Sequence, residues 1–128
     1  MVVPSLSEFE QTLYEISIEA NAAIEPIYND AVAKGLVYED GHMKDVCSTG
    51  GCVMYLDRRR PLYKFLKSIP YDPEKFYFIS DYAGNVSIHL RNIFSGQSYK
   101  LNKAAYDVVV EKLRIHYNWE IYNDVRVN

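Results

Sequence analysis

Apolar residues in the first 27 positions recur every three or four residues, which is the spacing of one face of an α-helix. Ser5 with Glu8, and Ser7 with Glu10, each fit a capping box at the start of this helix. Pro26 interrupts the pattern, because proline inside a helix removes a hydrogen bond and clashes with the preceding turn. The pattern predicts a long N-terminal helix, kinked near Pro26. Its apolar stripe comprises Leu6, Phe9, Leu13, Ile16, Ala20, Ala23 and Ile27.

The stripe has two alternative packing partners. It fits the protein's own sheet, in which case the helix is one layer of the core. It also spans about three heptads, the lower limit for a coiled coil, so a homodimer through the N-terminal helix is the alternative. Beyond the kink, a separate short helix is predicted from Pro26 to Lys34, with Gly35 as its C-terminal cap.

The middle of the chain carries strand signals. Val86 to Arg91 alternates, so Val86, Ile88 and Leu90 are expected to face inward. Residues 81–85 supply a hairpin turn before it. The other predicted elements here are strands at Val53–Leu56, Phe76–Ile79 and Gln97–Leu101, and a short helix at Leu62–Ile69 opened by Pro61.

A second long helix is predicted after Asn102, a good N-cap, with its end near Tyr117–Asn118. Apolar and polar residues alternate over residues 119–127. This pattern fits either a final edge strand or an arm that docks on another chain. The 128 residues are expected to form a single α+β domain. Its predicted architecture is an antiparallel β-meander of three to four strands, with both long helices packed on one face.

Charge is distributed unevenly along this chain of net charge −3. Residues 1–40 carry eight acidic residues and a single base, Lys34, whereas residues 41–67 carry six bases and two acids. The acidic balance excludes a globally basic nucleic-acid binder, although it permits a local basic patch. The two segments either attract each other within the fold or form surfaces for different partners.

A basic cluster with interleaved aromatic rings occupies residues 55–67. Arginine and tyrosine dominate the energetics of protein interfaces, so this segment predicts a partner-binding surface. The same mixture of cations and rings suits single-stranded nucleic acid, which is the alternative. Its arginines could also pair with the acidic helix. The candidate partner-binding residues are Tyr55, Arg58, Arg59, Arg60, Tyr63, Lys64 and Lys67.

His42, Cys47 and Cys52 lie at even spacing and form a second candidate site. Histidine and cysteine are zinc ligands, and two cysteines flanking Ser-Thr-Gly-Gly could also form a redox-active disulfide. With only three local ligands, two free thiols remain the default expectation. Two cysteines are too few for a disulfide scaffold, so a reducing, cytoplasmic location is expected.

Recognised catalytic and cofactor-binding motifs do not occur in the sequence. No phosphate-binding loop, dinucleotide fingerprint, His-Glu-x-x-His or Gly-x-Ser-x-Gly is present. We therefore expect no cofactor and favour binding over catalysis. No secretory leader or membrane span is expected either. The twelve tyrosines and the split charge are typical of a small protein-binding module. Such a module would act as an inhibitor, an immunity-type protein, or a viral or mobile-element accessory factor.

Overall fold

A computed structural model describes residues 2–128. These residues form three helices and six strands. The strands make two antiparallel sheets, one of four strands and one of two. The predicted α+β class is confirmed. In chain order the elements are α1 (Leu6–Ala33), β1 (Ser48–Thr49), β2 (Cys52–Tyr55), α2 (Pro61–Ser68), β3 (Tyr77–Tyr82), β4 (Asn85–Leu90), α3 (Tyr99–Tyr117), β5 (Tyr122–Asn123) and β6 (Arg126–Val127).

Helix α1 begins as the sequence predicts but continues further. Ser5 is its N-cap, and the Ser5 hydroxyl accepts the Glu8 amide proton at 3.1 Å. The helix runs through Pro26 to Ala33, so the separate helix predicted from Pro26 is wrong. Pro26 is exposed, while Ile24 and Ala31 on either side of it are buried. Tertiary packing on both sides therefore keeps the helix continuous despite the missing amide proton.

Helix α3 begins earlier than predicted. Its N-cap is Ser98, whose hydroxyl accepts the Leu101 amide proton at 3.1 Å. The predicted strand Gln97–Leu101 and the predicted cap at Asn102 are therefore wrong. Asn102 is instead buried within the helix and donates to the Ser48 hydroxyl at 3.0 Å. The end at Tyr117 agrees with the prediction, with Asn118 in the left-handed conformation that commonly closes a helix.

The four-stranded sheet has the order β3-β4-β2-β5. Strands β3 and β4 form a hairpin whose turn residues, Ala83 and Gly84, both have positive φ, as a tight two-residue turn requires. Strand β2 pairs with the other side of β4. Val86, Ile88 and Leu90 are buried, which confirms the predicted inward face of β4.

The C-terminal residues divide between the two sheets. β5 pairs with β2 at the edge of the large sheet, and β6 pairs with β1 to form the small one. The single final strand predicted over residues 119–127 is thus two short strands. The Asn128 amide donates to the Cys47 carbonyl, which extends the contact between the chain end and the segment before β1.

One hydrophobic core joins the helices to the inner face of the large sheet. Helices α1 and α3 pack on each other, and the Tyr117 hydroxyl of α3 donates to Thr12 of α1 at 2.9 Å. Phe9, Leu13 and Ile16 of the apolar stripe are fully buried inside the chain. The stripe therefore packs on the protein's own fold, and its central residues are not exposed as a homodimer seam.

Candidate functional site

The outer face of the large sheet, opposite the core, is formed by alternate residues of its strands. Strand register places Tyr82, Asn85 and Tyr55 side by side on this face, at the end that carries the β3–β4 turn. The side chains of Tyr82 and Tyr55 are 82% and 66% exposed. Two large aromatic rings therefore lie in solvent at one end of the sheet.

Other rings on the outer face are already in contact with neighbouring groups. Phe78 stacks on His89 with 4.5 Å between ring centroids, and the Arg91 guanidinium carbon lies 4.7 Å from the Phe78 centroid. Arg114 lies over Tyr122 at 5.5 Å. Tyr55 contacts Tyr122 with 6.1 Å between ring centroids, whereas Tyr82 makes no aromatic or cation–π contact with any of residues 2–128. The rings available for an outside partner are thus concentrated near the β3–β4 turn.

The predicted arginine run lies between β2 and α2, directly after Tyr55. Arg59 forms a 2.8 Å ion pair with Asp57. Hydrogen bonds from Arg59 lower the pKa of Asp57 to about 2, so this carboxyl stays ionised at neutral pH. Arg58 and Arg60 are exposed and form no ion pair within residues 2–128. They are thus two exposed cations in the loop that follows Tyr55.

Three other residues of the predicted cluster have different environments. Tyr63 is 7% exposed, belongs to the core, and donates its hydroxyl proton to Asp81 at 2.5 Å. Lys67 pairs with the same Asp81 oxygen at 3.0 Å. Lys64 is exposed on α2. Tyr63 and Lys67 therefore connect α2 to β3. The exposed residues of the cluster that form no ion pair within residues 2–128 are Tyr55, Arg58, Arg60 and Lys64.

We call Tyr55, Tyr82, Arg58 and Arg60 the Tyr–Arg surface. Sequence reasoning found Tyr55 and both arginines but missed Tyr82, because the predicted strand stopped at Ile79 and left Tyr82 in a turn. The alternation of Phe78, Ser80 and Tyr82 continues across that boundary. Extending the period of two residues would have placed Tyr82 on the outer face.

A cleft of about 270 Å³ lies on the outer face and shares Tyr82 with this surface. Ser80, Ser87 and Arg126 line it together with His89. The His89 Nδ1 atom lies 3.0 Å from the Gly50 carbonyl oxygen. A carbonyl can only accept, so Nδ1 carries the proton, and a neutral His89 leaves Nε2 as an acceptor. Stacking on Phe78 and the bond to Gly50 therefore fix the orientation of the imidazole.

Of the predicted cluster, His42 and Cys47 line one cavity, whereas Cys52 lies in the core. Cys52 is fully buried and donates weakly to the Ile88 carbonyl, and burial raises the pKa of its thiol to about 12. Cys47 is exposed, and both cysteines are free thiols. His42 pairs with Asp40 instead. Residues 2–128 contain no group of three histidine, cysteine or acidic side chains arranged to hold a metal ion.

The acidic α1 helix does not pair with the arginine run, contrary to one interpretation of the charge pattern. Its ion pairs join Glu10 to Lys75, Glu19 to Lys112 at 3.6 Å, and Asp30 to Lys34 at 2.9 Å. Lys75 and Tyr77 both donate to Glu10, and Lys75 contributes most to holding the pKa of that carboxyl below its usual range. The positive Tyr–Arg surface and the negative helix therefore remain separate features.

No helix within residues 2–128 combines the length and apolarity needed to cross a lipid bilayer. Comparison with protein-family models, with curated proteins and with solved structures finds no match for this chain.

Proposed function

We propose that this chain is a protein-binding module that engages an acidic partner through the Tyr–Arg surface. The observation that carries the proposal is the exposure of two tyrosine rings, Tyr55 and Tyr82, at one end of the outer face. Arg58 and Arg60, which form no ion pair within residues 2–128, follow Tyr55 by three and five positions in the chain. Tyrosine supplies a large contact area with few torsions to immobilise, and arginine supplies several hydrogen-bond donors. Blocking or bridging the partner would give the inhibitor, immunity-type or accessory role expected from the sequence.

The charge of the surface supports an acidic partner. Arg58 and Arg60 form no ion pair within residues 2–128, although the chain as a whole is negative. A local positive patch on an acidic protein attracts a complementary negative patch and repels other copies of the same surface. The two free cysteines are compatible with a reducing compartment, so we place this interaction in the cytoplasm.

Single-stranded nucleic acid, the alternative for residues 55–67, receives less support from the side-chain environments. Binding of bases needs ring faces that are free to stack. Tyr63 is buried, and Phe78 and Tyr122 contact Arg91 and Arg114. Tyr55 and Tyr82 alone are a small stacking platform, which is why we favour a protein partner.

The experiment starts with affinity purification from nuclease-treated native lysate, followed by titration of the purified partner. The Tyr55→Ala/Tyr82→Ala and Arg58→Glu/Arg60→Glu variants should each weaken binding by roughly tenfold or more. Tyr14→Ala and Lys103→Glu are matched controls, since both side chains are exposed on other elements. These controls should bind as the wild type does.

Two results would contradict the proposal. Unchanged partner affinity in both double variants would remove the Tyr–Arg surface as the binding site. Partners that disappear on nuclease treatment, with tight binding of short single-stranded DNA or RNA to the purified chain, would favour the nucleic-acid alternative.

A further inference from the structure

An apolar groove of about 610 Å³ lies between α1 and the loop that follows β4. One wall is a face of α1 different from the buried stripe and includes Ile18 and Ala22; the other wall is Phe94. The side chains of Ile18 and Phe94 are 54% and 82% exposed. The groove thus presents an aliphatic and an aromatic side chain to solvent, on a helix distant in sequence from the Tyr–Arg surface.

Hydrogen bonds fix the position of Phe94 against the helix. The side chain of Asn21 accepts the Phe94 amide proton at 2.8 Å and donates to the Asn92 carbonyl at 2.9 Å. Asn92 in turn donates from its side chain to the Ser17 hydroxyl at 2.7 Å. Because the backbone that carries Phe94 is held in place, little ordering is needed before a partner packs on this ring.

The surroundings of the groove are acidic. Glu25 lines it directly. A second cavity of about 420 Å³ shares Tyr28 and Phe94 with the groove and is lined by Asp40 and Asp45, and by His42, which pairs with Asp40. Among residues 2–128, no lysine or arginine lines either cavity. An apolar floor with a negative rim attracts a ligand that combines apolar and positive groups.

We infer that this groove binds a basic amphipathic helix of another protein. An amphipathic helix places apolar residues three or four positions apart on one face, which suits a groove with anchors such as Ile18 and Phe94. Its lysines and arginines would then lie near Glu25 and Asp40. A second copy of this chain fits less well, because the exposed positions of its α1 include several acidic residues that would repel the rim.

This inference is independent of the proposed function. The groove and the Tyr–Arg surface share no residue, and they differ in charge and in the elements that build them. If both sites bind their partners, the chain links an acidic protein at the Tyr–Arg surface to a basic helix in the groove. Either site can fail without affecting the test of the other.

The test uses a synthetic peptide of about four helical turns, with leucine on one face and lysine on the other. A glutamate-for-lysine peptide and a scrambled lysine–leucine peptide are the peptide controls. Fluorescence anisotropy at roughly physiological ionic strength gives the affinity, and backbone amide NMR shifts of the intact chain locate the contact. We expect binding of the amphipathic lysine peptide only, with shifts confined to the residues around Ile18 and Phe94.

Two variants test the anchors. Phe94→Ala and Ile18→Asp should each weaken binding of the lysine peptide by roughly tenfold. Val32→Asp, at another exposed position of α1, should leave the affinity unchanged. Circular dichroism confirms that each variant is folded. Equal binding of the scrambled peptide, an unchanged affinity of Phe94→Ala, or occupation of the groove by a second copy of the chain would overturn the inference.

Discussion

The hydroxyl of Tyr63 on α2 donates a 2.5 Å hydrogen bond to the carboxylate of Asp81 on β3. Lys67 Nζ lies 3.0 Å from the same oxygen. These donors hold the pKa of Asp81 below its usual range, with the Tyr63 hydrogen bond as the largest cause. The ionised carboxylate thus connects helix α2 to the edge strand β3, and two of the predicted binding residues, Tyr63 and Lys67, take part in this contact.

Replacing Asp81 with asparagine should destabilise the protein by about 2 kcal/mol at pH 7, because the charge-assisted hydrogen bonds are lost. The Asp81 pKa is depressed in the folded state, so its contribution is complete above the unfolded value of about 4. It is lost as the pH falls through the folded value. Urea denaturation at neutral and at acid pH should show the difference between wild type and Asp81→Asn shrinking as the pH falls.

Glu120→Gln is the matched control for this measurement, because Glu120 is an exposed acid for which no ion pair occurs within residues 2–128. It should change the free energy of unfolding by less than about 0.5 kcal/mol. If the difference in unfolding free energy between wild type and Asp81→Asn stays constant across the pH range, ionisation of Asp81 is not the cause of the destabilisation.

The two thiols should differ in reactivity. Cys47 is exposed, whereas burial raises the pKa of the Cys52 thiol to about 12 and covers its sulfur. Because the thiolate is the nucleophile, a thiol reagent at pH 8 should modify one cysteine in the native chain and both in denaturant. Cys47→Ser should abolish the native reaction, and rapid modification of both thiols in the native state would contradict the burial of Cys52.

Local sequence signals predicted the fold well wherever packing agreed with them. The Ser5 cap and the alternation of Val86, Ile88 and Leu90 correctly located the start of α1 and the inward face of β4. The errors fell where a distant contact decides the local structure. Pro26 signals a helix end, but burial of Ile24 and Ala31 carries α1 past it. Gln97–Leu101 alternates like a strand, yet a helix starts there at the Ser98 cap, where the distant Asp45 carboxylate accepts from the Ser98 hydroxyl and the Lys100 amide.

The candidate binding surface was predicted only in part. Proximity along the chain placed Tyr55 beside Arg58 and Arg60, but burial of Tyr63 depends on the position of Asp81, which sequence spacing does not reveal. The groove at Phe94 depends on hydrogen bonds between α1 and the residues after β4, which are far apart in sequence. A pattern within one element cannot indicate contacts of that kind.

Gly50 should tolerate no side chain. A Cβ at this position would lie 2.3 Å from a ring carbon of Tyr106 and 2.7 Å from the Asn102 side-chain oxygen. Both neighbours are buried, so Gly50→Ala should cost about 2–3 kcal/mol through overpacking. Gly35→Ala is the comparison, because a Cβ there meets nothing within 4 Å and costs only the strain of its positive φ, about 1 kcal/mol. Urea denaturation should show a larger loss of stability for Gly50→Ala than for Gly35→Ala. A smaller loss at Gly50 than at Gly35 would contradict the packing around Tyr106.

Pro26 should reduce the stability of the helix that contains it. Proline has no amide proton, so the Ala22 carbonyl one turn earlier loses its helical partner. The Pro26 side chain is exposed, so Pro26→Ala restores the hydrogen bond without opening a cavity. Proline also restricts the unfolded chain, which offsets part of the gain. We expect a net stabilisation of about 2 kcal/mol in urea denaturation, with unchanged helix content by circular dichroism.

Glu25→Ala, at the preceding exposed helical position, is the control and should change stability by less than about 0.5 kcal/mol. The opposite result at Pro26 is equally informative. If Pro26→Ala destabilises the chain, the helix must bend at Pro26 for Ile24 and Ala31 to reach their buried positions together. Pro26 would then be needed for the packing of α1 on both sides of it.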